Sequence, residues 1–139
     1  MMNINYREKI AIVYAIGAVA CADNDFSKEE STLRSKVAIF LGLTNDDNVS
    51  LQSMDLHESC RIMSSMSYEN KHFAAAVLMQ MMMADGVDLQ CEQRAIDLIS
   101  QCAGLPFISP NEAYNYLKSI GIIGNKAQLV WGALRHGAN

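Results

Sequence analysis

The sequence predicts an all-α fold: a single helical domain of about six to seven helices. Three observations lead there. Val, Ile and Thr rarely alternate with polar residues over a strand length, so strand signals are poor throughout. Capping residues and glycines mark helix starts and stops clearly. Residues 10–22 and 73–84 carry no charge, as helices buried on every side would.

The first helix is expected near 5–22 and the second near 28–41. Ser27-Lys28-Glu29-Glu30 reads as a capping box that starts the second, with Ser27 as cap and Glu30 at the third helical position. Its apolar stripe is Leu33, Val37, Phe40 and Leu41, and Gly42 should stop it. Thr44-Asn45-Asp46-Asp47 is a weaker box, and 44–54 has room for one more short helix. Helices follow near 55–66, 69–84 and 89–103. The stripe of 89–103 is Leu89, Ala95, Ile96, Leu98, Ile99 and Cys102, with Gly104 beyond it. Ser109-Pro110-Asn111-Glu112 opens a helix near 110–120, with proline at the tolerated first position and Gly121 as stop. The tail predicts a helix around 127–135, with Trp131 docking on the core.

The two uncharged helices are rich in small residues: Ala15, Gly17 and Ala18 in one, Ala74, Ala75 and Ala76 in the other. Small side chains let helix backbones approach closely. These two helices should therefore form the centre, with the others wrapped around them. The chain reads as a single domain over 1–139, with repeat units about 5–42 and 69–104 and a C-terminal helical extension about 110–136.

Composition excludes several classes. Half of the 139 residues are hydrophobic and two are proline, which rules out a disordered chain. The net charge of −4 argues against nucleic acid as a partner, since that affinity rests on Lys and Arg neutralising phosphates. No signal peptide is expected, because Met1-Met2-Asn3-Ile4-Asn5 has no basic region or adjacent apolar run. The uncharged stretch 10–22 would span about 20 Å as a helix, short of a hydrocarbon core of about 30 Å. The expectation is a cytoplasmic protein with no transmembrane segment. Its partners would be other proteins, with self-association open to it.

Cys21, Cys60, Cys91 and Cys102 form no CxxC pair and have no histidine at zinc-finger spacing. They read as reduced thiols packed like small hydrophobes. Met79, Met81, Met82 and Met83 read as flexible core filler. His57, His72 and His136 sit on separate segments. No GxSxG, phosphate-loop or dinucleotide fingerprint occurs. The expectation is a non-enzyme, with no catalytic residue to name.

The informative feature is a repeat. The first uncharged helix runs into Ala22-Asp23-Asn24-Asp25-Phe26-Ser27-Lys28-Glu29-Glu30. The other runs into Ala84-Asp85-Gly86-Val87-Asp88-Leu89-Gln90-Cys91-Glu92. Each has an Ala-Asp step, a tight turn with Asn or Gly, and a new helix start carrying acid. Asp23 to Glu30 and Asp85 to Glu92 are both seven residues apart. Aligning Phe26-Ser27 with Val87-Asp88 instead pairs Glu30 with Cys91. The two windows hold seven of the fifteen acidic residues, where an even spread would place about two.

Such a cluster suits a hard divalent cation, which binds several oxygens and relieves carboxylate repulsion. The candidate ligands are Asp23, Asp25, Glu30, Asp85, Asp88 and Glu92. Ca²⁺, Mg²⁺, Mn²⁺ and Zn²⁺ are the candidate ions. The plainer alternative makes Ser27 and Asp88 ordinary N-caps and Glu29, Glu30 and Glu92 partners of helix dipoles. Asp23 and Asp85 fit it less well, because they follow helix C-termini. Neither loop is an EF-hand: in the first, Lys28 and Arg34 stand where glycine and glutamate are required.

At these residues the sequence resembles the TerB-like family, helical domains named for a tellurite-resistance protein. Family members repeat a turn close to Ala-Asp-Gly-acid-apolar-x-x-Glu-Glu. Here Asn24 replaces the usual glycine in the first copy, and Cys91 stands where the second often has an acid. The resemblance covers roughly 5–105. It implies two helix–turn–helix units, acids at one pole, and a divalent-cation role for Asp23, Glu30, Asp85 and Glu92. It also implies a protein-interaction or stress-response module, since family domains occur beside other modules, including part of a J-domain co-chaperone. It implies no enzymatic activity, and tellurite resistance does not follow from the name.

Overall fold

The computed structural model describes residues 3–20, 28–83 and 89–123, with backbone alone at 20 and 89–92. Among the described residues it is all-helical, with no strand. The helices are α1 (Tyr6–Ala20), α2 (Lys28–Phe40), α3 (Asn48–Gln52), α4 (Leu56–Ser64), α5 (Tyr68–Met83), α6 (Leu89–Ala103) and α7 (Pro110–Ser119). The expected helix in 44–54 is present as a 3-10 turn, Asn45–Asp47, running into α3. The expected tail helix and Trp131 lie outside the described residues.

The helix ends follow local chemistry. Thr44 and Asp47 make a complete capping box: the Asp46 N–H donates to Thr44 Oγ1 at 3.3 Å, and the Thr44 N–H to Asp47 Oδ2 at 2.7 Å. Ser109 caps α7 through the Glu112 N–H. Asp55 caps α4 through the Glu58 N–H at 2.8 Å. Gly42, Gly104 and Gly121 all have φ between +66° and +89°, the left-handed geometry that ends a helix.

The centre is the pair α1 and α5, which pack together. In α1, residues 10–16 are buried except Tyr14; in α5, residues 73–82 are buried except Gln80. The core adds Leu33 and Val37 from α2 with Leu41 just beyond its end, Ile96, Ile99 and Ala103 from α6, and Ala113 and Leu117 from α7. One face of α1 departs from the expectation of burial all round. Tyr14, Gly17 and Ala18 are only half-buried, because a cavity of about 600 Å³ opens beside them.

Two stripes are corrected. Phe40 is 41% exposed: it sits at the edge of the face that buries Glu30, Leu33, Val37 and Leu41, about 60° from Val37 and 100° from Leu41. Its ring still stacks on Phe73, centroids 5.8 Å apart. Leu98 and Cys102 are exposed because α6 turns Ile96, Ile99 and Ala103 inward.

Helix direction decides which helix ends meet. The buried Asn70, in the first turn of α5, donates from Nδ2 to the Asn3 carbonyl at 3.0 Å and to Glu8 Oε1 at 3.3 Å. The starts of α1 and α5 are thus tied together, and the two helices run parallel. They have 15 and 16 residues, about 22 and 24 Å. The α2 helix runs back: Lys28, Glu29 and Thr32 share a cavity with Gln80 near the end of α5, while Phe40 reaches Phe73 near its start. The α6 helix also runs back, since Gly104 beyond its end lies beside Lys71 at the start of α5. The ends of α1 and α5 and the starts of α2 and α6 therefore share one pole.

Replacing Asn70 with alanine removes its bonds to the Asn3 carbonyl and Glu8 Oε1. It should lower the unfolding free energy by about 0.5–1.5 kcal/mol in urea titration. An unchanged midpoint would contradict the tie between the two helix starts.

Candidate functional site

Residues 21–27 and 84–88, which follow α1 and α5 in the chain, lie outside the described residues. Of the candidate ligands, Asp23, Asp25, Asp85 and Asp88 fall there. Glu92 lies on the described backbone of α6, within its first turns. Glu30 is the one whose side chain is described.

Glu30 occupies the first turn of α2 and is 0% exposed. Its neighbours Lys28 and Glu29 are exposed, and the Thr32 hydroxyl donates back to the Lys28 carbonyl at 2.8 Å. Glu30 is therefore enclosed, unlike an ordinary solvated acid at a helix start. The cause is register: Glu30, Leu33, Val37 and Leu41 fall on one helical face, and that face is the core face. The sequence carried this signal, because Glu30 sits three residues before Leu33 in the stripe. Among the described residues, no three His, Cys, Asp or Glu side chains gather as a metal site would require.

Away from this pole, the acids engage in structural bonds that sequence reading did not find. Glu58 pairs with Arg7 at 3.2 Å and with Arg61 one turn later, and the Arg61 bond holds its carboxyl below the usual range. Asp47 is likewise held low, first by the Thr44 N–H and then by the Tyr6 hydroxyl, which donates at 2.7 Å. Both acids are surface groups that fasten α1 to the segments following α2. Ser59 fastens α4 to α1 from inside, its hydroxyl donating to the Ala11 carbonyl at 2.7 Å.

The described cysteines, buried Cys60 on α4 and exposed Cys102 on α6, are free thiols. Burial first, then the Cys102 thiol, push the Cys60 thiol up to about 11. A nucleophilic cysteine needs the opposite shift. His72 packs edge-on against Tyr116, centroids 4.6 Å apart, and His57 is exposed. Of the methionine run, Met79, Met81 and Met82 are buried, and Met83 is 44% exposed.

No protein-family model and no curated protein matches the chain. The fold resembles the crystal structure of a protein of unknown function from Porphyromonas gingivalis W83, with a TM-score of 0.71. The two share 24% identity over 85% of this chain and 92% of that one. At that identity the likeness shows a shared fold alone. No helix among the described residues is long and apolar enough to cross a membrane.

The thiols give a direct test. A rise from 9.0 to about 11 cuts the Cys60 thiolate about a hundredfold at neutral pH. Iodoacetamide should label Cys102 in the native protein and spare Cys60, with both labelled after denaturation, as read by peptide mass spectrometry. Equal native labelling would contradict the burial described.

Proposed function

We infer that the chain is a non-enzymatic TerB-like domain that binds a divalent cation at its acidic pole and serves as a protein-interaction or stress-response module. The observation that carries this reading is the parallel course of α1 and α5. It brings to one pole the helix ends that flank both acidic turns. Two Ala-Asp turns on antiparallel helices would lie about 22 Å apart and share nothing. Glu30 adds to it, because helical register sets this carboxylate in a buried position at the same pole.

The donor chemistry suits Ca²⁺, Mg²⁺ or Mn²⁺, which take carboxylate oxygens; Zn²⁺ is the fourth candidate. Asp23, Asp85, Glu30 and Glu92 are the proposed ligands, with Asp25 and Asp88 beside them. Cytoplasmic residence and a protein partner belong to the same proposal. Glu30 also stands at the capping-box position of Ser27, and this favours a second reading: a metal-free interaction module whose acids cap helices.

Thermal unfolding separates the two. After chelator treatment, Ca²⁺, Mg²⁺, Mn²⁺ and Zn²⁺ are added in turn to wild type and to the double variant Asp23→Asn/Asp85→Asn. A cation at a hundred times its dissociation constant should stabilise the wild type by about 2.7 kcal/mol and leave the variant unmoved. Cation-independent unfolding of the wild type would overturn the metal reading and leave the capping one.

A further inference from the structure

Among the described residues, a groove between α1, α2 and α3 holds a cation that no acid answers. Two cavities of about 310 and 600 Å³ share Arg34, Asn48 and Leu51, so they are two arms of one groove with Arg34 at the join. The guanidinium lies over Gly17 of α1, where a Cβ would sit 3.5 Å from Nε and 3.7 Å from Cζ. Arg34 Nε is buried with no hydrogen-bond partner, and among the described residues no carboxylate pairs with Arg34. A guanidinium with a desolvated, bondless donor gains more from an anion than a solvated one does.

The lining selects the kind of anion. Among the described residues no Asp or Glu lines either arm, in a chain of net charge −4. The other side-chain donors on the described lining are neutral, among them Ser31, Ser35, Thr44, Asn48 and Gln52. One positive charge with neutral donors matches a monoanion, whereas a phosphate dianion calls for more than one cation. Val13, Ala38, Ile39, Leu43 and Leu51 supply apolar wall, and the arms exceed what a bare ion fills. The volumes fall in the range of small-molecule sites.

We propose that this groove binds a small organic monocarboxylate, its carboxylate on Arg34 and Asn48 and its apolar body against Leu51 and the walls beside it. The site uses none of the acidic-pole residues and stands independently of the cation reading.

Hexanoate is the probe, with hexanamide as the neutral isostere and inorganic phosphate as the dianion. Two-dimensional amide NMR follows the titration, with chelator present and absent. Hexanoate should give saturable shifts centred on Gly17, Asn48 and Leu51, and the other two compounds should not. Arg34→Gln should weaken hexanoate binding about ten- to a hundredfold. Asn48→Asp should do the same by setting a negative charge opposite Arg34, and residue 48 is exposed, so this variant folds even if Arg34→Gln does not. Equal shifts from hexanoate and hexanamide, no saturable shift, or unchanged binding in Asn48→Asp would each overturn the proposal.

Discussion

The parallel packing of α1 against α5 is the constraint on which the rest depends. Consecutive helices joined by short turns pack antiparallel, but these two are separated by three others and are free to run the same way. Small residues let them meet closely: Ala11, Ala15, Ala74 and Ala76 are all at most 1% exposed. Asn70 then sets their relative register by bonding two groups at the start of α1. A buried polar group of this kind tolerates little slippage, because a shift leaves donors and acceptors unmet. With α1 and α5 aligned and α2 and α6 returning along them, the ends of the first pair and the starts of the second share one pole.

That end differs in character from the opposite one. Where the helices start, polar groups are tied into local bonds, as with Asn70, Glu8 and the Tyr6–Asp47 pair. At the other pole, the helix ends flank two sequence windows that hold seven acids, and register drives one of them, Glu30, into a core position. Fold and composition thus converge there. Elsewhere among the described residues, burial raises the Cys60 thiol, which disfavours its thiolate.

Much of the fold was legible because its signals are local. The Thr44 and Ser109 caps and the three glycines act within a few residues, and each stands where sequence placed it. The burial of Phe40, Leu98 and Cys102 was misread because hydrophobicity does not say which of two adjacent helical directions meets a neighbour. The buried faces are set by Ile96–Ile99–Ala103 and Leu33–Val37–Leu41; Leu98 and Cys102 lie off the first, and Phe40 lies at the edge of the second. Asn70 and Ser59 were missed because their partners, Asn3 and Ala11, are distant in sequence. Of the site, sequence could name the acids. It could not give the helix direction that decides whether both acidic turns serve one end.

One measurement tests that shared pole most directly. Mn²⁺ added below one equivalent broadens the amide resonances of nuclei near where it binds. The account predicts that amides in the first turns of α2 and α6 broaden together and first, while those of Asn70 and Gly104, at the opposite pole, keep their intensity longest. Broadening confined to one of the two helix starts, or spread without regard to pole, would contradict it.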